Sequence, residues 1–245
     1  MDLVAGILAS TLVVLLVAVQ PFAGRKRYQR LLARLPGDPG ARLDHYRVGI
    51  IGQWTVVAIV AVIGLLAGRS AASIGLHRPG DAWDGWWPVI QVGLLLALST
   101  IVMRRPSMRA PLRRQASGFL ALLPATTRER QTFAGLAITA GTCEEIVYRG
   151  FLMAYLSWLL PGVSSGWIVV LSAVAFGVAH AYQGVRGVVL TGIVGATLGA
   201  LVVASGSLLP AIVVHALVDL RILALPDLSL PDSLAPTPAP APASP

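Results

Sequence analysis

Residues 131–159 read QTFAGLAITAGTCEEIVYRGFLMAYLSWL. The run is apolar along most of its length and long enough to cross a bilayer, yet Glu144, Glu145 and Arg149 sit near its middle. A charged residue at the bilayer centre costs about 2.5–3.5 kcal/mol even on the mildest insertion scale. Such a segment inserts only if its charges face a protein interior and satisfy one another. Helical spacing arranges them: Glu145 and Arg149 are i, i+4 and share a face, while Glu144 is turned about 100° away, on the side of Tyr148. One carboxylate is neutralised by a cation, and the other has no local partner. The pattern is a structural ion pair beside a carboxylate free for chemistry. Cys143, next to them, reads as a small packing residue.

The rest of the chain agrees with a membrane setting. Of its residues 56% are hydrophobic and 12% charged, and the mean hydropathy is +0.75. A soluble chain carries about 25% charged residues. The net charge of +8 does not indicate nucleic acid, because seven of the 19 basic residues lie between Arg25 and Arg47 and seven more between Arg104 and Arg130. Both clusters separate apolar runs, as basic cytoplasmic loops do. The single cysteine excludes an intrachain disulfide framework and a Cys-based zinc cluster.

Apolar runs predict an all-α, polytopic transmembrane bundle of about seven spans (six to eight), near 2–22, 48–68, 86–103, 131–159, 163–182, 186–205 and 207–224. A short apolar stretch at 117–124 is too short to span. The expected organisation is N-terminal spans with a basic loop (1–104), a basic amphipathic connection (105–130), a helix bundle that holds the intramembrane charges (131–225) and a disordered Pro/Ala-rich tail (226–245). Trp83, Trp86 and Trp87 at the edge of the third span read as an interfacial aromatic belt. With both basic clusters inside, the N-terminus faces out, and the chain is a multi-pass protein of a plasma (inner) membrane. With 18 arginines against one lysine, it reads as bacterial.

Two of the four histidines, His180 and His215, lie in or beside spans five and seven, and Asp219 follows His215 by one helical turn. An imidazole can relay a proton, donate to an oxyanion or bind a metal. Glu144, His180, His215 and Asp219 together suit a water-activating hydrolytic site, with or without a divalent metal such as zinc held by the same four residues. No serine is tied to a histidine by a local motif; Ser172 precedes His180 by eight residues.

At these positions the sequence resembles the CPBP intramembrane proteases (CAAX protease and bacteriocin-processing, or Abi, family). EExxxR appears as Glu144-Glu145-Ile146-Val147-Tyr148-Arg149, followed by Gly150-Phe151-Leu152. FxxxH appears as Phe176-Gly177-Val178-Ala179-His180, with Gly184 four residues on. His followed, after three intervening residues, by Asn or Asp appears as His215-Ala216-Leu217-Val218-Asp219. The resemblance covers about residues 120–222. It implies a peptidase whose cavity opens within the membrane, toward the cytoplasmic side. In it Glu144 activates water, His180 positions that water, and His215 and Asp219 flank the oxyanion. Glu145 and Arg149 brace the helix, with Tyr148 and Phe176 as further support. It leaves open whether the mechanism uses a metal. Asparagine at the last position could donate to an oxyanion, whereas ionised Asp219 only accepts, so Asp219 must be protonated, orient His215 or bind a metal.

The expected partners are a peptide or membrane-protein substrate and the lipid bilayer, with no nucleic acid. Two rival readings use the same polar residues: a non-proteolytic scaffold that stabilises a membrane partner, and a proton- or ion-coupled transporter.

Overall fold

The computed structural model describes residues 3–80, 82–116 and 118–225, and within them every regular element is helical. The tail expected at 226–245 lies outside the described residues. Seven rods stand where the apolar runs place them, so the chain is an all-α membrane bundle. The first rod runs from α1 (Leu3–Val14) through a π-turn (Leu15–Val19) into α2 (Gln20–Arg34). Pro21 follows that π-turn after one residue, Gln20. It lacks an N–H and crowds the carbonyl a turn earlier, and the widened turn accommodates it. The span expected to end near residue 22 therefore continues to Arg34. Much of the first basic cluster is helix rather than loop, because arginine and lysine are good helix formers.

The second and third rods are α3 (Ala41–Leu66) and α4 (Ala82–Met103), and α5 (Arg109–Ala116) is a short basic helix after them. The fourth rod is α6 (Thr127–Glu144), a π-helical segment (Glu145–Leu152) and α7 (Met153–Leu159). Three more follow: α8 (Ser165–Ala179), α9 (Gly184–Ser205) and α10 (Leu209–Leu220). Four helical stretches are long and apolar enough to cross a membrane: Leu3–Arg34, Ala41–Leu66, Trp86–Met103 and Ala181–Ser205. The α6–α7 rod carries the charges, and α8 and α10 have 15 and 12 residues, fewer than the roughly 20 of a full span. Of these, α8 lies along α9, and α10 lies along α6, α4 and α9.

Small residues set that packing. A Cβ on Gly141 of α6 would stand 2.7 Å from the Ala216 nitrogen of α10, and one on Gly177 of α8 would stand 2.6 Å from the Val188 oxygen of α9. Without an added methyl the backbones meet, which is how helices associate closely in lipid. The largest core cluster gathers Leu12 and Leu16, Val60 and Ile63, Tyr148 and Phe151, and Phe176 from four rods. Exposed Ile51, Leu94, Leu98, Ile101 and Ile193 give the outside its apolar surface.

At the basic end, α6 begins with a capping box. Thr126 Oγ1 accepts from the Glu129 N–H at 3.2 Å, and Glu129 Oε2 accepts from the Thr126 N–H at 3.0 Å. Buried Arg42 of α3 pairs with Glu129 at 3.6 Å and donates to the Ala121 carbonyl at 3.0 Å. Tyr46 donates to the Leu122 carbonyl at 2.7 Å. The stretch at 117–124 thus contributes a 3₁₀ turn (Leu120–Leu122) latched onto α3. At the other end, the Leu208 N–H donates to the Gly75 carbonyl at 2.8 Å and Ser207 to the His77 carbonyl. Trp86 packs against the bundle around Val89, Leu198 and Val214, while Trp87 is exposed; the Trp83 side chain lies outside the described residues.

Candidate active site

Three helices deliver the site. Glu144 is the last residue of α6, His180 caps the C-terminus of α8, and His215 and Asp219 stand one turn apart on α10. Their side chains meet. Glu144 Oε2 lies 3.9 Å from His180 Nε2 and 4.0 Å from His215 Nε2, and His215 Nε2 lies 3.8 Å from Asp219 Oδ2. Residues 36 and 71 positions beyond Glu144 in sequence are therefore brought within about 4 Å of its carboxylate.

Both imidazoles are pinned at Nδ1. His180 Nδ1 is 2.8 Å from the Phe176 carbonyl, which can only accept, so this nitrogen carries the proton. His215 Nδ1 is 2.7 Å from Glu145 Oε1. Each ring thus turns Nε2 toward Glu144. Of the roles open to Asp219, holding the Nδ1 side of His215 falls to Glu145, while Asp219 faces Nε2.

Glu145 is more than a helix brace. Its Oε1 accepts from Arg149 Nη1 at 2.8 Å as well as from His215, and both ion-pair side chains are fully buried. Arg149 Nη2 donates to the Gly195 carbonyl at 3.0 Å, and its guanidinium lies 4.3 Å above the Phe176 ring. A Cβ on Gly195 would come within 3.0 Å of Arg149 Nη2 and 2.9 Å of the Phe176 ring, so glycine opens that approach. Phe176 is the shared wall: Tyr148 meets it edge-on at 5.1 Å, with His180 at 4.7 Å and His215 at 5.9 Å between ring centroids.

The backbone carrying EExxxR is π-helical, with the Met153 N–H reaching back to the Tyr148 carbonyl. Buried Ser172 of α8 also donates to that carbonyl, at 2.9 Å; its hydroxyl is spent on helix packing. π-turns recur at functional sites because one extra residue re-aims the side chains that follow.

Sequence reasoning missed two residues of the N-terminal half, which it reads as hydrophobic spans alone. Gln53 of α3 donates from Nε2 to Glu144 Oε1 at 3.3 Å. Gln20, at the start of α2, accepts from the Tyr148 hydroxyl at 3.2 Å. The available signal was an uncharged polar side chain inside each apolar run. Gln53, Glu144, His180, His215 and Asp219 all line one cavity of about 1120 Å³, which extends to Arg27, Arg30, Arg114 and Arg186 at the basic end.

The donor set is of the kind zinc accepts, two imidazole nitrogens and two carboxylate oxygens. Among the described residues, however, no three His, Cys, Asp or Glu side chains are grouped to hold a metal ion. Ligands around a tetrahedral zinc stand about 3.4 Å apart, closer than the 3.8–4.0 Å found here. The gap comes just short of the roughly 4.0–4.6 Å that separates two polar groups sharing a hydrogen-bonded water.

Residues 128–221 match the family model described as type II CAAX prenyl endopeptidase Rce1-like. No curated protein and no solved structure gives a significant match. The matched segment spans α6 to the end of α10 and holds all three motifs. Over that segment the chain is similar to the CAAX protease family.

Proposed function

We propose that this chain is an intramembrane endopeptidase in which Glu144 activates the attacking water. What carries the reading is the placement of Glu144 Oε2 about 4 Å from both histidine Nε2 atoms, in a cavity continuous with the basic end. A water between them gives one proton to Glu144 Oε2 as its oxygen adds to the scissile carbonyl carbon. His180, with Nδ1–H committed to Phe176, presents a bare Nε2 in its neutral form and orients that water. His215 faces Glu145, Glu144 and Asp219, which together support a proton on both its nitrogens. It is then the donor to the oxyanion. On collapse, the C–N bond breaks and the proton on Glu144 passes to the leaving amine. Asp219 balances the charge of His215. No step passes through a metal.

The substrate is a peptide or membrane-protein segment that enters from the basic, cytoplasmic end of an inner membrane. Leader peptides, small secreted peptides and membrane-protein tails suit a bacterial chain better than prenylated CAAX proteins. The test compares, by mass spectrometry, membrane peptides from cells making the wild type or Glu144→Gln. The wild type generates new termini and the variant does not, while both insert and melt alike. A general base contributes roughly 10²–10⁴-fold, so the variant's rate on any such peptide falls by that factor. Identical peptide sets overturn the peptidase reading and leave the scaffold. Cleavage by the purified protein withstands a strong chelator; loss that zinc restores would instead place a metal at the site.

A further inference from the structure

We propose that Gln53, from the half of the chain outside the family match, is a positioning residue for Glu144. This rests on the role given to Glu144 above. Glu144 ends an α-helix at the start of a π-segment, and three side-chain torsions must be held for one oxygen to face two imidazoles. The two carboxylate oxygens have separate roles. Oε2 lies between the histidines, and Oε1 takes the Gln53 amide at 3.3 Å. No other hydrogen bond to the Glu144 carboxylate is found among the described residues.

The approach is prepared on α3. Gly49, one turn before Gln53 on the same face, is buried, and a Cβ there would stand 3.3 Å from the Leu136 side chain of α6. Small size at 49 lets α3 close on α6 where the amide must reach.

Infrared difference spectra of the full chain in liposomes, between neutral and acidic pH, test the contact without any substrate. The protonated-carboxyl band that disappears in Glu144→Gln belongs to Glu144. In Gln53→Met, nearly isosteric but without a donor, that band moves to higher frequency; an unmoved band overturns the proposal. On a peptide whose cleavage needs Glu144, Gln53→Met lowers kcat roughly 10- to 100-fold, the worth of one hydrogen bond to a charged group, with KM unchanged. Gln53→Asn, one methylene short, behaves alike, which guards against a folding defect peculiar to one variant. Added to Glu144→Asp, which is too short to reach, Gln53→Met brings no further loss; an additive loss counts against positioning. The two ideas fail separately. An active Glu144→Gln sinks the peptidase reading, whereas a dead Glu144→Gln beside a Gln53→Met with wild-type kcat sinks only this inference.

Discussion

Glu145 shows how a buried charge becomes useful. Its Oε1 serves Arg149 and His215 together, so ion pair and imidazole form one unit. Removing one member of a buried pair leaves an uncompensated charge and costs about 3–5 kcal/mol. Arg149→Ala is therefore expected to lower the melting temperature in detergent strongly, whereas Glu145→Gln with Arg149→Met, which removes both charges, recovers much of that loss. Activity separates from stability here. The double variant stays low in turnover, because His215 Nδ1 has lost its carboxylate. Wild-type turnover in that variant would show that Glu145 does not orient the ring.

At the scale of elements, close backbone approach decides where the site residues land. Gly141 lies against Ala216, next to His215, and its Cβ would meet backbone rather than a movable side chain. Gly141→Ala should cost about 1–3 kcal/mol, as overpacking does, and displace α10 enough to reduce activity. Gly135, on the same helix with nothing within 4 Å of its would-be Cβ, is the control: Gly135→Ala is neutral or mildly stabilising in the same melting experiment. Thr126→Ala removes the oxygen that caps α6 and should cost about 1 kcal/mol, measured in the same way. The π-segment belongs to this scale as well. Spacing predicts the Glu145–Arg149 pair, since residues four apart stay near one another in the wider helix too. It does not reveal the widened turn, which depends on tertiary partners such as the Ser172 hydroxyl on the Tyr148 carbonyl.

For the whole molecule, the rods alternate direction, and Arg30 and Arg69 lie at opposite ends, both exposed. If the basic end is cytoplasmic, an impermeant maleimide added to intact cells labels Arg69→Cys and spares Arg30→Cys, in a Cys143→Ala background. The reverse pattern would invert the cavity and with it the side from which substrate enters. Much of this arrangement was legible in the residues themselves. Hydropathy placed seven rods, because apolar length is set by bilayer thickness and is written locally. Glu144, His180, His215 and Asp219 stood out because an ionisable group in an apolar run is expensive and needs a reason. Other features depended on how rods from distant parts of the chain meet: that Glu145 rather than Asp219 holds His215, that Gln53 reaches Glu144, and that the donors stand nearly 4 Å apart. These are through-space relations between residues up to 91 positions apart, fixed by which glycines let which backbones touch, and no spacing along one helix encodes them.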